Sequence, residues 1–157
     1  MTRQCCASRS STRDVASPFR RLIATGYYDG PTEGFVECGT CGTVFAFRTL
    51  DWDGGQDVRI FALRELSAAT MDSLVTRIGN ETGDQPRWPV WVVPPPKERS
   101  PVASEGHESV REGRHLILAA RDLTRTILVW ASGDNASRDE ETRVDWFKEL
   151  GLPRSDS

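Results

Sequence analysis

The sequence predicts a single α+β domain in which a mostly antiparallel sheet is flanked by three helices. Over about residues 34–66, three runs rich in β-branched and aromatic residues alternate with turn signals, which predicts a three-stranded meander. Other segments carry apolar residues at helical spacing. A length of 157 residues, with 38% hydrophobic and 27% charged residues, fits one domain with a core of its own.

The meander begins with Phe35 and Val36 and continues through Val44–Leu50 to the alternating run Val58–Leu63. Its first connection is the Cys-x-x-Cys turn from Cys38 to Cys41. The second contains Asp53-Gly54-Gly55, residue types that tolerate positive φ and favour hairpin turns.

Start and stop signals predict the three flanking helices. The first covers Val15–Thr25, with Ser17 as N-cap and Pro18 at the first helical position. The second begins at the cap Ser67 and ends near Ile78, where Gly79 follows. The third runs from Ser137 to about Leu150.

The second half of the sequence contains shorter β patterns. Residues 88–93 predict a short edge strand, because Pro89 cannot donate to a ladder. Residues 94–114 predict a flexible, Pro-rich polar linker. For residues 115–132 we favour two strands around Asp122–Thr124, and a single helix is the alternative.

Residues 1–14 are rich in Ser and Arg and poor in apolar side chains, so we expect a disordered tail before a domain at residues 15–152. No run is long and apolar enough for a membrane span or a secretory signal, which predicts a cytoplasmic protein. The net charge of −3 makes nucleic acid an unexpected partner. Another protein is the partner that we expect, and the oligomeric state is not predicted.

Cys38 and Cys41 are the candidate metal ligands. Two thiolates from one tight turn can occupy adjacent tetrahedral corners around zinc, and Gly42 leaves backbone amides turned toward the sulfurs. Residues 36–45 resemble the rubredoxin-type knuckle of zinc ribbons, which implies zinc as the cofactor. A ribbon has a second such knuckle, and this sequence has none.

Structural zinc takes four protein ligands, so a site at the knuckle needs two more. The candidates are the pairs Cys5 with Cys6 and His107 with His115, and a site shared between two chains is another possibility. A knuckle that no longer binds metal is the interpretation that we favour. Redox use is disfavoured, because Cys41 is followed by a strand pattern and not by a helix that would lower a thiol pKa.

The remaining polar and aromatic clusters have structural interpretations. Residues 51–57 contain three Asp, but their spacing does not fit a calcium loop and turn chemistry accounts for them. Neither histidine lies in a catalytic signature. Five aromatic residues are candidates for a recognition surface, although packing in the core or at its boundary is the use that we favour; they are Tyr27, Tyr28, Trp52, Trp88 and Trp91.

The sequence therefore predicts a non-enzymatic protein-interaction or accessory module that carries a degenerate or half zinc knuckle. The first alternative is a redox or metal-dependent protein that uses Cys38 and Cys41. A nucleic-acid-binding zinc ribbon is the second, and it would need arginines such as Arg48, Arg59 and Arg87 beside the exposed rings.

Overall fold

The structure is a computed structural model that describes residues 15–66, 70–94, 115–133 and 145–155. These residues form eight strands and two helices. In chain order they are β1 (Val15–Ala16), β2 (Phe19–Tyr27), β3 (Pro31–Cys38), β4 (Val44–Asp53), β5 (Val58–Leu66), α1 (Met71–Thr82), β6 (Val90–Val92), β7 (His115–Asp122), β8 (Thr126–Gly133) and α2 (Trp146–Glu149).

All eight strands belong to one sheet, in the order β1-β8-β7-β5-β4-β3-β2-β6. Every neighbouring pair is antiparallel except β2 and β6, which run parallel. Seven strands have three residues or more, and β1 extends one edge by two residues. The sheet is curled into a half-barrel.

The curl arises because one stretch of chain joins two distant parts of the sheet. Val15 in β1 pairs with Ile127 in β8, whereas Phe19 in β2 pairs with Cys38 in β3. Between them, the Ser17 N–H donates to the carbonyl oxygen of Arg125 at 2.7 Å. Residues 15–27 therefore draw β8 toward β2 and partly close the sheet on itself.

Both faces of the sheet are buried. On one face the helices α1 and α2 cover the sheet through Met71, Leu74, Ile78, Phe147 and Leu150. The core cluster of the other face is rich in Phe and contains no residue of a described helix. Because that cluster is nevertheless buried, we infer that it lies on the concave face, which the curled sheet itself covers.

The predicted α+β class with three flanking helices is wrong, because the described residues form a mostly β half-barrel with only two short helices. The helix predicted at Val15–Thr25 is instead β1 and β2. A bulge explains the error: Phe19 pairs with Cys38 and Arg21 with Glu37, so β2 contains one extra residue. Because of the bulge, Phe19 and Leu22 belong to the same core cluster although they are three positions apart. Apolar residues three positions apart on one face are typical of a helix, which explains the wrong prediction.

The second predicted helix is present but displaced toward the C-terminus. Thr70 is its N-cap, and the Thr70 hydroxyl accepts a hydrogen bond from the Ser73 N–H at 3.1 Å. The helix passes through Gly79 and ends before Gly83, which has a φ of 73°. The predicted cap at Ser67 lies outside the described residues.

Of the third predicted helix, only the part from Trp146 to Glu149 is described as helix, and residues 134–144 lie outside the described part of the chain. The predicted tail at 1–14 and all of the predicted linker at 94–114 except Pro94 also lie outside it.

The other β predictions are confirmed. The meander corresponds to β3, β4 and β5, with Phe35 opposite Ala46 and Phe47 opposite Leu63. Residues 115–132 form the two strands β7 and β8 and not one helix. The predicted edge strand is β6, at one end of the strand order.

Candidate functional site

The Cys38–Cys41 turn connects β3 to β4, and its two cysteines differ in burial. Cys38 is buried in the concave-face core, whereas Cys41 is exposed, and no disulfide joins them. The Gly42 N–H donates to the Cys38 carbonyl oxygen at 2.9 Å, and Gly42 has a φ of 76°. Thus one sulfur is enclosed by apolar side chains while the other lies at the surface, 3.1 Å from the Thr43 hydroxyl.

The zinc interpretation of Cys38 and Cys41 stays a prediction. Among the described residues, no group of three or more His, Cys, Asp or Glu side chains is arranged to hold a metal ion. The proposed ligands Cys5, Cys6 and His107 lie outside those residues, and His115 begins β7 without a described side chain. The turn joins two strands, so it lacks the helix N-terminus that lowers the pKa of a redox thiol.

The acidic residues of the β4–β5 turn hold the C-terminal residues against the sheet. Asp53 is only 6% exposed and accepts hydrogen bonds from the Ser155 hydroxyl, the Ser155 N–H at 2.6 Å and the Gln56 amide at 2.8 Å. These bonds, led by that of the Ser155 hydroxyl, hold the pKa of Asp53 well below its usual range. Asp51 binds Arg154 at 2.7 Å. Asp51 and Asp53 therefore have a structural role.

A cavity of about 290 Å³ lies where β2 ends, β5 begins and the β7–β8 turn crosses. We call it the end cavity. Its apolar lining comes from Leu22, Phe61, Val90, Val92 and Leu123. Its charged lining residues are Asp29, Asp57, Arg59, Arg121 and Asp122. An apolar floor with a few convergent polar groups is typical of a small-molecule site.

Arg59 is the most buried of these charged residues, at 4% exposure. Its Nη1 donates to the carbonyl oxygens of Gly30 and Pro31, both at 3.2 Å, and its Nη2 donates to that of Tyr28. The guanidinium also lies 4.6 Å from the centre of the Trp52 ring. Arg59 thus fixes the β2–β3 turn, which forms part of the cavity wall.

The large hydrophobic side chains that remain exposed in the described part of the chain are concentrated along β2 and β6. Their exposures are 57% for Tyr27, 67% for Tyr28, 40% for Trp88 and 45% for Val92. By contrast Trp91, in the middle of β6, is buried at 1% exposure. Three of the five aromatic candidates are therefore at the surface, at one edge of the sheet.

Comparison with protein-family models, with curated proteins and with solved structures finds no match to this chain. Neither described helix is long and apolar enough to cross a membrane. The site must therefore be interpreted from its own geometry.

Sequence reasoning did not identify the end cavity, because the cavity forms only when the curl brings β2 and β6 toward β5 and β7. One signal was available in β5. There, strand alternation places Arg59 on the same face as Phe61 and Leu63, which are core residues. A cation among inward-facing residues indicates a buried polar site.

Proposed function

We propose that this protein is a non-enzymatic interaction module that binds an extended segment of another protein along β6. The observation that supports this most strongly is that β6 ends the strand order and that exposed hydrophobic side chains occur along it and along β2: Trp88 before β6, Val92 within it, and Tyr27 and Tyr28 at the end of β2. Exposed aromatic side chains are enriched at protein-binding surfaces. We call these four residues the aromatic edge.

The backbone of β6 has a side available for pairing. Leu22 N–H donates to the Pro89 carbonyl oxygen at 2.8 Å, and Val93 N–H donates to the Ala24 carbonyl oxygen at 2.9 Å. By strand alternation, the amide groups of Val90 and Val92 point away from β2. No other described strand pairs with β6. An extended peptide can add to such an edge through main-chain hydrogen bonds.

Trp88 is held in place before any partner binds. The Arg21 guanidinium lies 5.4 Å from the centre of the Trp88 ring, and the ring packs edge-to-face on Trp91 at 6.2 Å. Arg21 is itself fixed by a hydrogen bond to Glu37 at 2.7 Å. A rigid aromatic anchor loses little conformational entropy on binding, which favours its use as a hot spot.

Site-specific photo-cross-linking in cells tests this proposal. A photoreactive phenylalanine analogue replaces Tyr28 in one variant and Val92 in another, and the matched control carries it at Thr76, an exposed position on α1. We expect one protein to be captured at both edge positions and not at Thr76. Capture of the same protein with equal yield at Thr76 would show that the protein does not bind specifically along β6.

The second step uses the captured protein in purified form. We expect Trp88→Ala to weaken its binding by about 30-fold, the effect of losing one hot-spot side chain. Arg125→Ala, at a side chain that is 83% exposed in the β7–β8 turn, should leave the affinity unchanged. Equal affinities for the Trp88→Ala variant and the wild type would rule out the aromatic edge as the binding surface.

A further inference from the structure

The end cavity contains a buried positive charge that no carboxylate of the described residues pairs with. Arg59 is 4% exposed, and it forms no ion pair with a carboxylate of the described residues. Its described hydrogen bonds, to the carbonyl oxygens of Tyr28, Gly30 and Pro31, use three of the five N–H groups of a guanidinium. Buried charges are normally paired, so Arg59 provides a site for an anionic group.

A second cation lines the same cavity. Arg121 is exposed, and its Nε donates to the Gln56 carbonyl oxygen at 3.2 Å. No described hydrogen bond uses its two Nη groups, and a carboxylate can bind to this pair in a bidentate geometry. Arg59 and Arg121 thus give the end cavity two cationic side chains, one fixed and one at the rim.

Two carboxylates at the rim balance these cations. Asp29 lies in the β2–β3 turn with a φ of 52°, and Asp57 ends the β4–β5 turn with a φ of 54°. Both are exposed, and neither makes a described hydrogen bond or ion pair. The third acid, Asp122, is already engaged, since it accepts from the Thr124 N–H at 2.9 Å and lies 3.6 Å from Arg125 Nε.

We propose that the end cavity binds a free α-amino acid with an apolar side chain. Its carboxylate would pair with Arg59 and Arg121, its ammonium with Asp29 and Asp57, and its side chain would pack on the apolar floor around Phe61. A ligand with only one charge is a poorer match. An anion would be repelled by the two Asp side chains, and an amine would be repelled by the two Arg side chains.

This inference goes beyond the proposed interaction with another protein and does not depend on it. The protein-binding test depends on Tyr28, Val92 and Trp88, whereas the amino acid test depends on charged residues of the cavity. Tyr27 and Val92 border both surfaces and are therefore not varied in the second test. Either proposal can fail while the other holds.

Titration of the ¹⁵N-labelled full chain with three matched probes tests the ligand class by NMR. The probes are L-leucine, 4-methylpentanoate, which lacks the ammonium, and 3-methylbutylamine, which lacks the carboxylate. We expect saturable shifts with leucine, centred on residues that line the end cavity, and binding at least about tenfold weaker for each singly charged probe. Equal affinity for leucine and 4-methylpentanoate would overturn the proposal, as would the absence of saturation up to about 10 mM leucine.

Conservative variants identify the groups that hold the two charges. We expect Arg121→Gln and Asp57→Asn each to weaken leucine binding by about five- to tenfold, because each removes one charge-assisted contact at a partly solvated rim. Asn tolerates the left-handed backbone of position 57, so that variant keeps its turn. Lys148→Gln, at an exposed position on α2 that does not line the end cavity, is the control and should bind like the wild type. Wild-type affinity in both cavity variants would refute the assignment.

Discussion

Replacing Trp91 by Ala should lower the free energy of unfolding by about 3–5 kcal/mol, the range for deleting a large buried aromatic side chain. Trp91 is 1% exposed and belongs to the core cluster that α1 and α2 cover. Its indole Nε1–H donates to Asp84 Oδ2 at 2.8 Å. The substitution therefore removes packing, a hydrogen bond and the central residue of β6, which pairs in the described structure only with β2.

Urea denaturation measures this loss, and Trp88→Ala provides the matched control. The Trp88 side chain is 40% exposed and contacts Arg21 and Trp91, so its removal should cost about 1–2 kcal/mol, less than the removal of Trp91. Comparing the losses of unfolding free energy in Trp91→Ala and Trp88→Ala therefore distinguishes a residue in the core from one at the surface, although the two are only three positions apart. Similar losses at both positions would show that Trp91 does not lie in the core.

Replacing Arg59 by Met should destabilise the protein by about 2–4 kcal/mol. Met has a similar length, but it leaves the carbonyl oxygens of Tyr28, Gly30 and Pro31 without the donors that they have in the structure. It also removes the contact of the cation with the Trp52 ring. Because these partners belong to the β2–β3 turn and to β4, the loss should loosen the wall of the end cavity.

Thermal and urea unfolding of the variant check this expectation. Arg125→Met, at a largely exposed side chain, should change the unfolding free energy by less than about 0.5 kcal/mol. Arg59→Lys should recover only part of the loss, because a single ammonium does not reproduce a planar fork that reaches three carbonyl groups. Full stability in Arg59→Met would mean that the guanidinium does not fix the turn.

The strands that could be predicted from the sequence are those that pair with the next strand along the chain across a clear turn. The meander over 34–66 has adjacent hairpins with clear turn residues, and β7 and β8 are joined by a tight turn in which Asp122 accepts from the Thr124 N–H. For such pairs, the alternation of apolar residues and the turn residues between them are enough to predict both strands. These local signals do not suffice for residues 15–27, where a bulge changes the phase of β2 and two of the pairings, β1 with β8 and β2 with β6, join segments that are distant in sequence.

The candidate site was harder to predict for the same reason. Core or boundary packing was expected for Tyr28 and Trp88 because large aromatic residues are usually at least partly buried, and their exposure follows from their position at one edge of the curled sheet. The Cys-x-x-Cys spacing predicts a turn at residues 38–41 but not the burial of its two sulfurs. Alternation along β3 already places Cys38 on the same face as the core residue Val36, which predicts a buried sulfur.

The end cavity and the aromatic edge both depend on the closure of the half-barrel by residues 15–27, and backbone NMR tests that closure most directly. We expect cross-strand nuclear Overhauser effects between Val15 and Ile127 and, in the same molecule, between Phe19 and Cys38. Helical i,i+3 contacts through residues 15–25 without a Val15–Ile127 contact would contradict the half-barrel and, with it, the site built on it.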